Sequence, residues 1–357
     1  MKKKKVAIIG QGVVGLFSAY RLSEKGFQVT VFGEDSLSSC ASSAAMGCLC
    51  LKGAVQPKDS LFQEKMFGVN YLRSFLFFLQ EETGLSIPVV QTGVCEPFLD
   101  KEHYSFLRKR LFQSDFTGFK RIIPLTAEEV LARFPALCLL KNYHRYMGAF
   151  FYPDDLWFDP RAFLRVFQSF LARRGVVFVT QKVLKVVSSQ QGLLLSPSSA
   201  LGSFGEVVVC SGQGSVELVR ESCGFTPSFS ATRGETLVMG LSGNQAQGIH
   251  TFGKTSLCFN GQQVTFGSSS RGGVGKEMFP RDLFTLAKSF MALEPETVEV
   301  YSGVRLRTKS RMPLLEKYNL TCGQGRLWLL SGFHRSGYSL ASVYSERLVE
   351  KLLAAPF

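Results

Sequence analysis

The sequence predicts a protein of mixed class, α/β combined with α+β, in which a Rossmann-type nucleotide-binding domain is interleaved with a domain built on an antiparallel sheet. Two observations lead to this prediction. Residues 5–34 form a complete β-α-β pattern with three glycines at its first turn. Residues 232–297 alternate short apolar strands with turns rich in Gly and Ser, which is typical of a half-exposed antiparallel sheet. A chain of 357 residues is long enough for about two domains.

The β-α-β pattern begins with the apolar run 6–9, which is typical of a buried parallel strand. Three glycines follow at G-x-G-x-x-G spacing, where they permit a tight turn, close approach of a pyrophosphate and close packing of the helix on the strand. The pyrophosphate is expected at the helix N-terminus, because free N–H groups and the helix dipole favour an anion there. The residues predicted to hold it are Gly10, Gly12, Val13, Val14 and Gly15.

An acidic residue after the second strand of such a unit hydrogen-bonds the adenosine ribose. The second strand is predicted at residues 28–32, and Gly33 occupies the usual position of the acid. Glu34 follows one residue later and is predicted to bind the ribose. The alternative is a tight strand-to-helix turn without a ligand.

The composition is that of a globular protein, with 45% hydrophobic and 19% charged residues. No apolar run approaches the roughly 20 residues of a transmembrane helix. The start MKKKK and the apolar run after it imitate a secretory signal, but the glycine motif explains the same run as a strand. The net charge of +13 indicates an acidic partner, such as a phosphorylated cofactor or nucleic acid, or else a solvated basic surface.

Nine cysteines lack the spacing of a disulfide framework, which predicts a reduced, cytoplasmic protein. The four histidines are scattered and do not cluster with the cysteines, so no metal site is predicted.

The remaining elements follow from hydrophobic periodicity and capping signals. Thr126 and Glu129 form a capping box before one short helix. An apolar strand at 206–210 runs into Ser211 and Gly212, at the edge where a parallel sheet binds its ligand. Helices are predicted at 59–82, 102–111, 125–134, 161–173 and 339–353, and further strands at 86–96 (as a pair), 176–180, 193–195, 236–239, 256–259, 263–266 and 327–330.

Several short motifs occur in an order that is recognisable. They are the small-residue segment 41–49, VVCSGQGS at 208–215, Arg233-Gly234-Glu235, GVR at 303–305 with Thr308 and Pro313, and GFHRSG at 332–337. Together with the glycine turn they resemble, over the whole chain, the D-amino-acid oxidase and glycine oxidase (DAO) family of FAD flavoproteins. The family pattern is broken at Ser310, where Asp is usual, and at Glu316, where Gly is usual.

The resemblance implies a glutathione-reductase-like fold and FAD as the cofactor. It implies a FAD-binding domain at 1–55, 145–215 and 300–357, and a substrate domain at 56–144 and 216–299. It also implies that the turn before the last helix stabilises negative charge on the reduced flavin. The cofactor-binding residues that it adds are Ala41, Ser42, Gly47, Cys48, Val183, Ser211, Gly212, Arg305, Ser336, Gly337 and Tyr338.

Arg305 and Arg335 fall on the positions that hold the substrate carboxylate in glycine-oxidase-like enzymes. The planar fork of Arg suits a carboxylate, because both can form two parallel hydrogen bonds. The alternative for each is an ion pair at the surface or between domains. His334 is adjacent, but a lone His is more often structural.

The resemblance implies oxidation of an amino acid, glycine-type or D-, by hydride transfer to FAD, with oxygen or a quinone as the electron acceptor. An alternative is similarity to the FAD half of the bifunctional enzyme that modifies tRNA wobble uridine. The basic helix with Arg108, Lys109 and Arg110 would suit that polyanion. A third possibility is a flavin-binding protein with little catalysis.

Overall fold

The structure is a computed structural model. It describes residues 4–34, 40–50, 61–112, 122–197, 201–243, 246–252, 255–267, 271–272, 280–292, 294–318, 320 and 324–354. The helices are α1 (Val13–Glu24), α2 (Phe62–Thr83), α3 (Lys101–Phe112), α4 (Ala127–Arg133), α5 (Pro160–Arg173), α6 (Gly214–Cys223), α7 (Pro280–Phe290) and α8 (Gly337–Ala354). Short 3₁₀ turns lie at Pro135–Leu139 and Tyr143–Arg145.

The strands from the first half of the chain are β1 (Lys5–Ile9), β2 (Gln28–Gly33), β3 (Cys48–Leu49), β4 (Val89–Val90), β5 (Val94–Phe98), β6 (Ile123–Thr126), β7 (Gly148–Tyr152), β8 (Leu156–Phe158) and β9 (Val177–Thr180). Those from the second half are β10 (Lys185–Ser189), β11 (Gly192–Ser196), β12 (Glu206–Val209), β13 (Ser230–Gly240), β14 (Gln247–Phe252), β15 (Thr255–Asn260), β16 (Gln263–Gly267), β17 (Arg271–Gly272), β18 (Thr297–Arg307), β19 (Leu314–Tyr318) and β20 (Arg326–Ser331).

One sheet has the strand order β19-β20-β12-β1-β2-β9. Its strands are parallel except for β19, which is antiparallel to β20. The side chains of β1 alternate between two cores, as a strand buried on both faces requires. Val6 and Ile8 pack with helices α1, α5 and α8, whereas Ala7 and Ile9 pack with the β10–β11 hairpin and α6. The glycine turn therefore follows a strand that is buried on both faces in the middle of the sheet.

The second sheet has nine strands in the order β17-β13-β16-β15-β14-β5-β7-β6, with β18 paired to β13. The β13–β18 ladder runs antiparallel from the pair Ser230 and Arg307 to the pair Gly240 and Thr297. One face of this sheet shares a core with α4 and α7, in which Leu237, Phe259 and Phe266 are fully buried. The short sheet β3-β8-β4 completes the fold.

The predicted domain boundaries place β7 and β18 with the nucleotide-binding domain, and the structure pairs both of these strands within the nine-stranded sheet. Helix α2, predicted with the substrate domain, packs against α5 and α8. The division into a FAD-binding and a substrate domain stays a prediction.

Helix α4 begins as its capping box predicts. Thr126 Oγ1 accepts a hydrogen bond from the Glu129 N–H (3.2 Å), and a Glu129 carboxylate oxygen accepts one from the Thr126 N–H (2.8 Å). The prediction of a strand pair at 86–96 is right about two strands and wrong about their pairing. Gly93, at φ 73°, turns the chain between them, so β4 pairs with β8 while β5 pairs with β7 and β14.

Candidate functional site

A cavity of about 1500 Å³ opens at the carboxyl ends of β1, β2 and β12 and reaches the nine-stranded sheet at β13, β15, β16 and β18. This is the edge at which a parallel sheet binds its ligand. Of the predicted site residues, Gly15 and Ser336 lie outside the cavity lining. The others line it: Gly10, Gly12, Val13, Val14, Glu34, Ala41, Ser42, Gly47, Cys48, Val183, Ser211, Gly212, Arg305, Arg335, Gly337 and Tyr338.

The glycine turn has the close contacts that its spacing predicts. Gly10 has φ 122°, and a Cβ there would lie 2.5 Å from the Cys210 carbonyl oxygen. A Cβ at Gly15 would lie 1.9 Å from the Gly10 carbonyl oxygen, so Gly15 allows α1 to pack directly on the turn. Both positions exclude a side chain, and the backbone N–H groups at the start of α1 are thereby brought to the cavity wall.

Ser42 caps helix α1 from a distant part of the chain. Gly12 at the N-cap has no side chain to accept a hydrogen bond, and the Val13 N–H instead donates to Ser42 Oγ at 3.1 Å. The Ser42 hydroxyl proton is left to donate into the cavity. An anion bound here would meet this hydroxyl together with the helix dipole.

A second helix begins at the same place. A Cβ at Gly337, the first residue of α8, would lie 3.7 Å from Val13 Cγ1. Neither α1 nor α8, both fully described, has an acidic residue in its first turn. The positive ends of two helix dipoles therefore meet at the cavity without a carboxylate of their own helix to offset them.

The segment 40–48 forms one wall of the cavity and is fastened from three sides. The Tyr338 hydroxyl donates to the Ser42 carbonyl (2.9 Å), and Thr236 Oγ1 donates to the Ala44 carbonyl (2.8 Å). A Cβ at Gly303 would lie 2.6 Å from Ala41 Cα, so β18 touches the segment backbone to backbone. This wall consists mostly of small residues, which lets an aromatic ring system approach its backbone.

The ribose end of the cavity contains an arrangement that the sequence analysis missed. Glu34 lines the cavity but is exposed. Gln11, the variable residue of the glycine motif, donates from Nε2 to the Gly33 carbonyl (3.2 Å). Its Oε1 accepts from Gln168 Nε2 on α5 (3.1 Å). The sequence does contain a signal for this arrangement. A polar residue stands inside the glycine motif, and glycine stands where the acid is usual.

Arg305 lies on β18, and its guanidinium covers Gly234, where a Cβ would lie 2.3 Å from Nη2. Its Nη1 is buried and makes no hydrogen bond within the described residues. Burial, and then the charge of Arg335, lower the pKa of Arg305 from 12.5 to about 10. The side chain remains cationic at neutral pH, and no described carboxylate pairs with it.

Arg335 and His334 differ from Arg305 in their surroundings. Arg335 lines the cavity but is exposed. Burial, followed by the charges of Arg335, Arg305, Arg307 and Arg311, lowers the pKa of His334 to about 4. His334 is therefore neutral at pH 7, and its backbone, at φ 51°, donates to the Leu306 carbonyl (2.9 Å).

Ser310 and Glu316, which break the family pattern, lie away from the cavity. Ser310 Oγ accepts a hydrogen bond from the Met312 N–H (3.3 Å) and stabilises the turn after β18. Glu316 is exposed and accepts from the Tyr318 hydroxyl (2.9 Å). Since neither residue lines the cavity, these departures leave its described lining unchanged.

The cavity fits a flavin dinucleotide. It joins a glycine turn and two helix N-termini, suited to a pyrophosphate, to the wall 40–48 of mostly small residues, suited to a flavin ring. The apolar Val183, which is expected against the adenine, also lines the cavity. Among the described residues no cluster of His, Cys, Asp and Glu is arranged to hold a metal ion. No helix in the described part of the chain is long and apolar enough to cross a membrane.

Curated proteins of similar sequence include a glycine oxidase and a D-amino acid dehydrogenase. A glycine oxidase of Geobacillus kaustophilus (strain HTA426) is 23% identical over 94% of this chain and 89% of that protein. A D-amino acid dehydrogenase of Vibrio vulnificus (strain YJ016) is 22% identical over 69% of this chain and 70% of that protein.

Solved structures confirm the predicted fold class. The glycine oxidase from Geobacillus kaustophilus superposes with a TM-score of 0.80 at 22% identity, covering 98% of this chain and 95% of that one. The iminodiacetate oxidase from Chelativorans sp. BNC1 gives a TM-score of 0.80 at 17% identity, covering 98% and 96%.

The family comparison covers almost the whole chain. A sequence model described as "DAO: FAD dependent oxidoreductase" matches residues 5–351. This match confirms the resemblance seen in the motifs and the expectation of FAD as the cofactor. The chain belongs to the DAO family of FAD-dependent oxidoreductases.

Proposed function

We propose that the protein oxidises the amine of an amino acid, glycine-type or D-, whose carboxylate binds Arg305. The observation that carries this proposal is the buried Nη1 of Arg305, which has no hydrogen-bond partner among the described residues. A buried guanidinium without an acid is costly, and a substrate carboxylate would offset that cost by two charge-assisted hydrogen bonds. The names of the relatives, a glycine oxidase and a D-amino acid dehydrogenase, support an amino-acid substrate.

Arg305 is held where it can orient such a substrate. It projects from the long β13–β18 ladder and lies on Gly234, which leaves its planar fork in one position. Because the carboxylate and the amine share one carbon, fixing the carboxylate also fixes the C–H bond that reacts. Positioning of this kind can provide several kcal/mol of the barrier reduction.

The charges at this end of the cavity also favour the reactive form of the substrate. Arg305 and the exposed Arg335 disfavour a third positive charge, so a bound substrate ammonium loses its proton more readily. His334 is neutral and has a pKa of about 4, so it is poorly suited to act as a base at pH 7. The glycine turn and the wall 40–48 would hold FAD, which would supply a hydride acceptor for the carbon that carries the amine, and water would then hydrolyse the imine product.

The FAD-loaded protein, mixed without oxygen with glycine, N-substituted glycines and D-amino acids, tests the proposal. The matched controls are the same amines without the carboxylate. We expect the flavin absorbance to bleach with at least one carboxylate-bearing amine and not with its control. Equal bleaching by the control amine would contradict the role of the carboxylate.

The alternative function is the oxidation of a substituted wobble uridine in tRNA. The same experiment tests it when tRNA is added as a further substrate. Arg108 is exposed on α3, while the side chains of Lys109 and Arg110 lie outside the described residues. None of the relatives named above is a tRNA-modifying enzyme, and the alternative is not favoured. We also propose a cytoplasmic location, which is supported by the nine cysteines of the sequence, because they lack the spacing of a disulfide framework.

A further inference from the structure

The end of β2 lacks the side chain that normally binds the adenosine ribose. Gly33 stands there, and an ideal Cβ on Gly33 would lie 2.7 Å from Gln11 Cγ. The space that a strand-end acid would use is therefore already filled by the Gln11 side chain. Gln11, Gly33 and Gln168 line the same part of the cavity.

The Gln11 amide is held in one position by two neighbours. Its Nε2 donates to the Gly33 carbonyl (3.2 Å), and its Oε1 accepts from Gln168 Nε2 (3.1 Å). An amide group has two N–H donors and an oxygen with two lone pairs. One N–H and one lone pair of Gln11 therefore remain for a ligand.

The position of Gln11 along the cavity matches the position of the ribose in a dinucleotide. Gln11 immediately precedes Gly12 and Val13, where the pyrophosphate is expected, and its hydrogen bond to the Gly33 carbonyl directs its side chain to the end of β2. The Gly33 carbonyl also accepts a hydrogen bond from the Gln181 N–H (3.0 Å), two residues before Val183, which lines the cavity and is expected against the adenine. A donor and an acceptor between these two points are the groups that a ribose diol needs.

We propose that Gln11 binds the adenosine ribose of FAD and replaces the strand-end acid that Gly33 lacks. Gln168 is the positioning residue that holds the Gln11 amide. Glu34, which is exposed one residue further on, is then not required for the ribose contact. The proposal does not depend on the identity of the oxidised amine.

A titration of the apoprotein with FAD tests the proposal without any substrate. Quenching of the flavin fluorescence measures the binding. We expect Gln11→Ala to weaken FAD binding about tenfold, as the loss of one or two hydrogen bonds predicts. Gln28→Ala, at the exposed opposite end of β2, is the matched control and is expected to bind as wild type does. Unchanged FAD binding by Gln11→Ala, or a loss confined to Glu34→Ala, would overturn the proposal.

An FAD analogue with 2′-deoxyadenosine separates a direct contact from a structural role of Gln11. Wild type is expected to bind the analogue several-fold more weakly than FAD, whereas Gln11→Ala is expected to bind both equally. If Gln11→Ala keeps the full preference for FAD, Gln11 acts only on the fold and the proposal is wrong. The double variant Gln11→Gly with Gly33→Glu, which frees the space and restores the acid, is expected to regain the preference.

Discussion

Replacement of Arg305 by Met removes the charge that we propose holds the substrate and keeps a side chain of similar length over Gly234. Loss of a buried, charge-assisted pair with the substrate carboxylate costs about 2–5 kcal/mol. This corresponds to a decrease in kcat/KM of roughly 30- to 4,000-fold. Arg305→Lys is expected to recover only part of the activity, since an ammonium offers a point charge without the planar fork.

The same substitution is expected to stabilise the substrate-free protein. The folded state lowers the pKa of Arg305 from 12.5 to about 10, so it disfavours the charged side chain that is present at neutral pH. One pKa unit corresponds to about 1.4 kcal/mol, so the lowered pKa sets an upper limit of about 3.5 kcal/mol for the gain. Loss of activity together with a higher unfolding temperature distinguishes a binding role from damage to the fold.

Stopped-flow reduction of the flavin without oxygen measures the first effect, and thermal unfolding without substrate measures the second. Arg307→Met is the matched control, because Arg307 lies two residues further along β18, donates to Ser230 Oγ (3.3 Å) and does not line the cavity. Wild-type reduction rates in Arg305→Met with the true substrate would refute the carboxylate clamp.

Three further predictions follow from the charges of the chain. Because Arg335 is exposed, Arg335→Met is expected to lower kcat/KM less than Arg305→Met does. The loss in Arg335→Met is expected to become smaller as salt is added, because salt screens exposed charges. A loss that does not change with salt in steady-state kinetics would contradict this. His250 is fully buried, neither ring nitrogen has a hydrogen-bond partner among the described residues, and burial lowers its pKa to about 3. The unfolded state therefore binds more protons than the folded state between about pH 3 and 6.5. The free energy of unfolding falls as the pH drops through that window. His250→Leu is expected to raise the unfolding temperature by more at pH 5 than at pH 7. If tRNA is a substrate, Arg108→Ala is expected to lower the salt slope of tRNA binding by about one in a filter-binding titration, and no binding at low salt excludes that alternative.

The parts of the site that depend on local sequence were predictable. The strand, the glycine turn and helix α1 lie within residues 5–24, and the close contact of Gly15 with the Gly10 carbonyl follows from the spacing of the motif. The same is true of α4, whose capping box involves residues only three apart. Helices α6 and α7 were not predicted, although each carries an apolar face.

The parts that depend on contacts between distant residues were not predictable in this way. Gln11 and Gln168 are 157 positions apart, and their hydrogen bond exists only because α5 packs beside the β1–β2 edge. The surroundings of Arg305 needed both the family resemblance, which gave its position, and the structure, which shows that its Nη1 is buried. Ser310 and Glu316 could be recognised in the sequence as unusual, but only the structure places them outside the cavity lining.

The close contact of Gly303 with Ala41 limits how the candidate site can adapt. Gly303 and Arg305 lie on the same strand only two residues apart. A sideways shift of β18 that moved the arginine would therefore also press Gly303 against the wall 40–48. The ladder with β13 resists such a shift along its whole length. A change of substrate in evolution or engineering is therefore expected to arise from other side chains that line the cavity, such as Ser256 on β15.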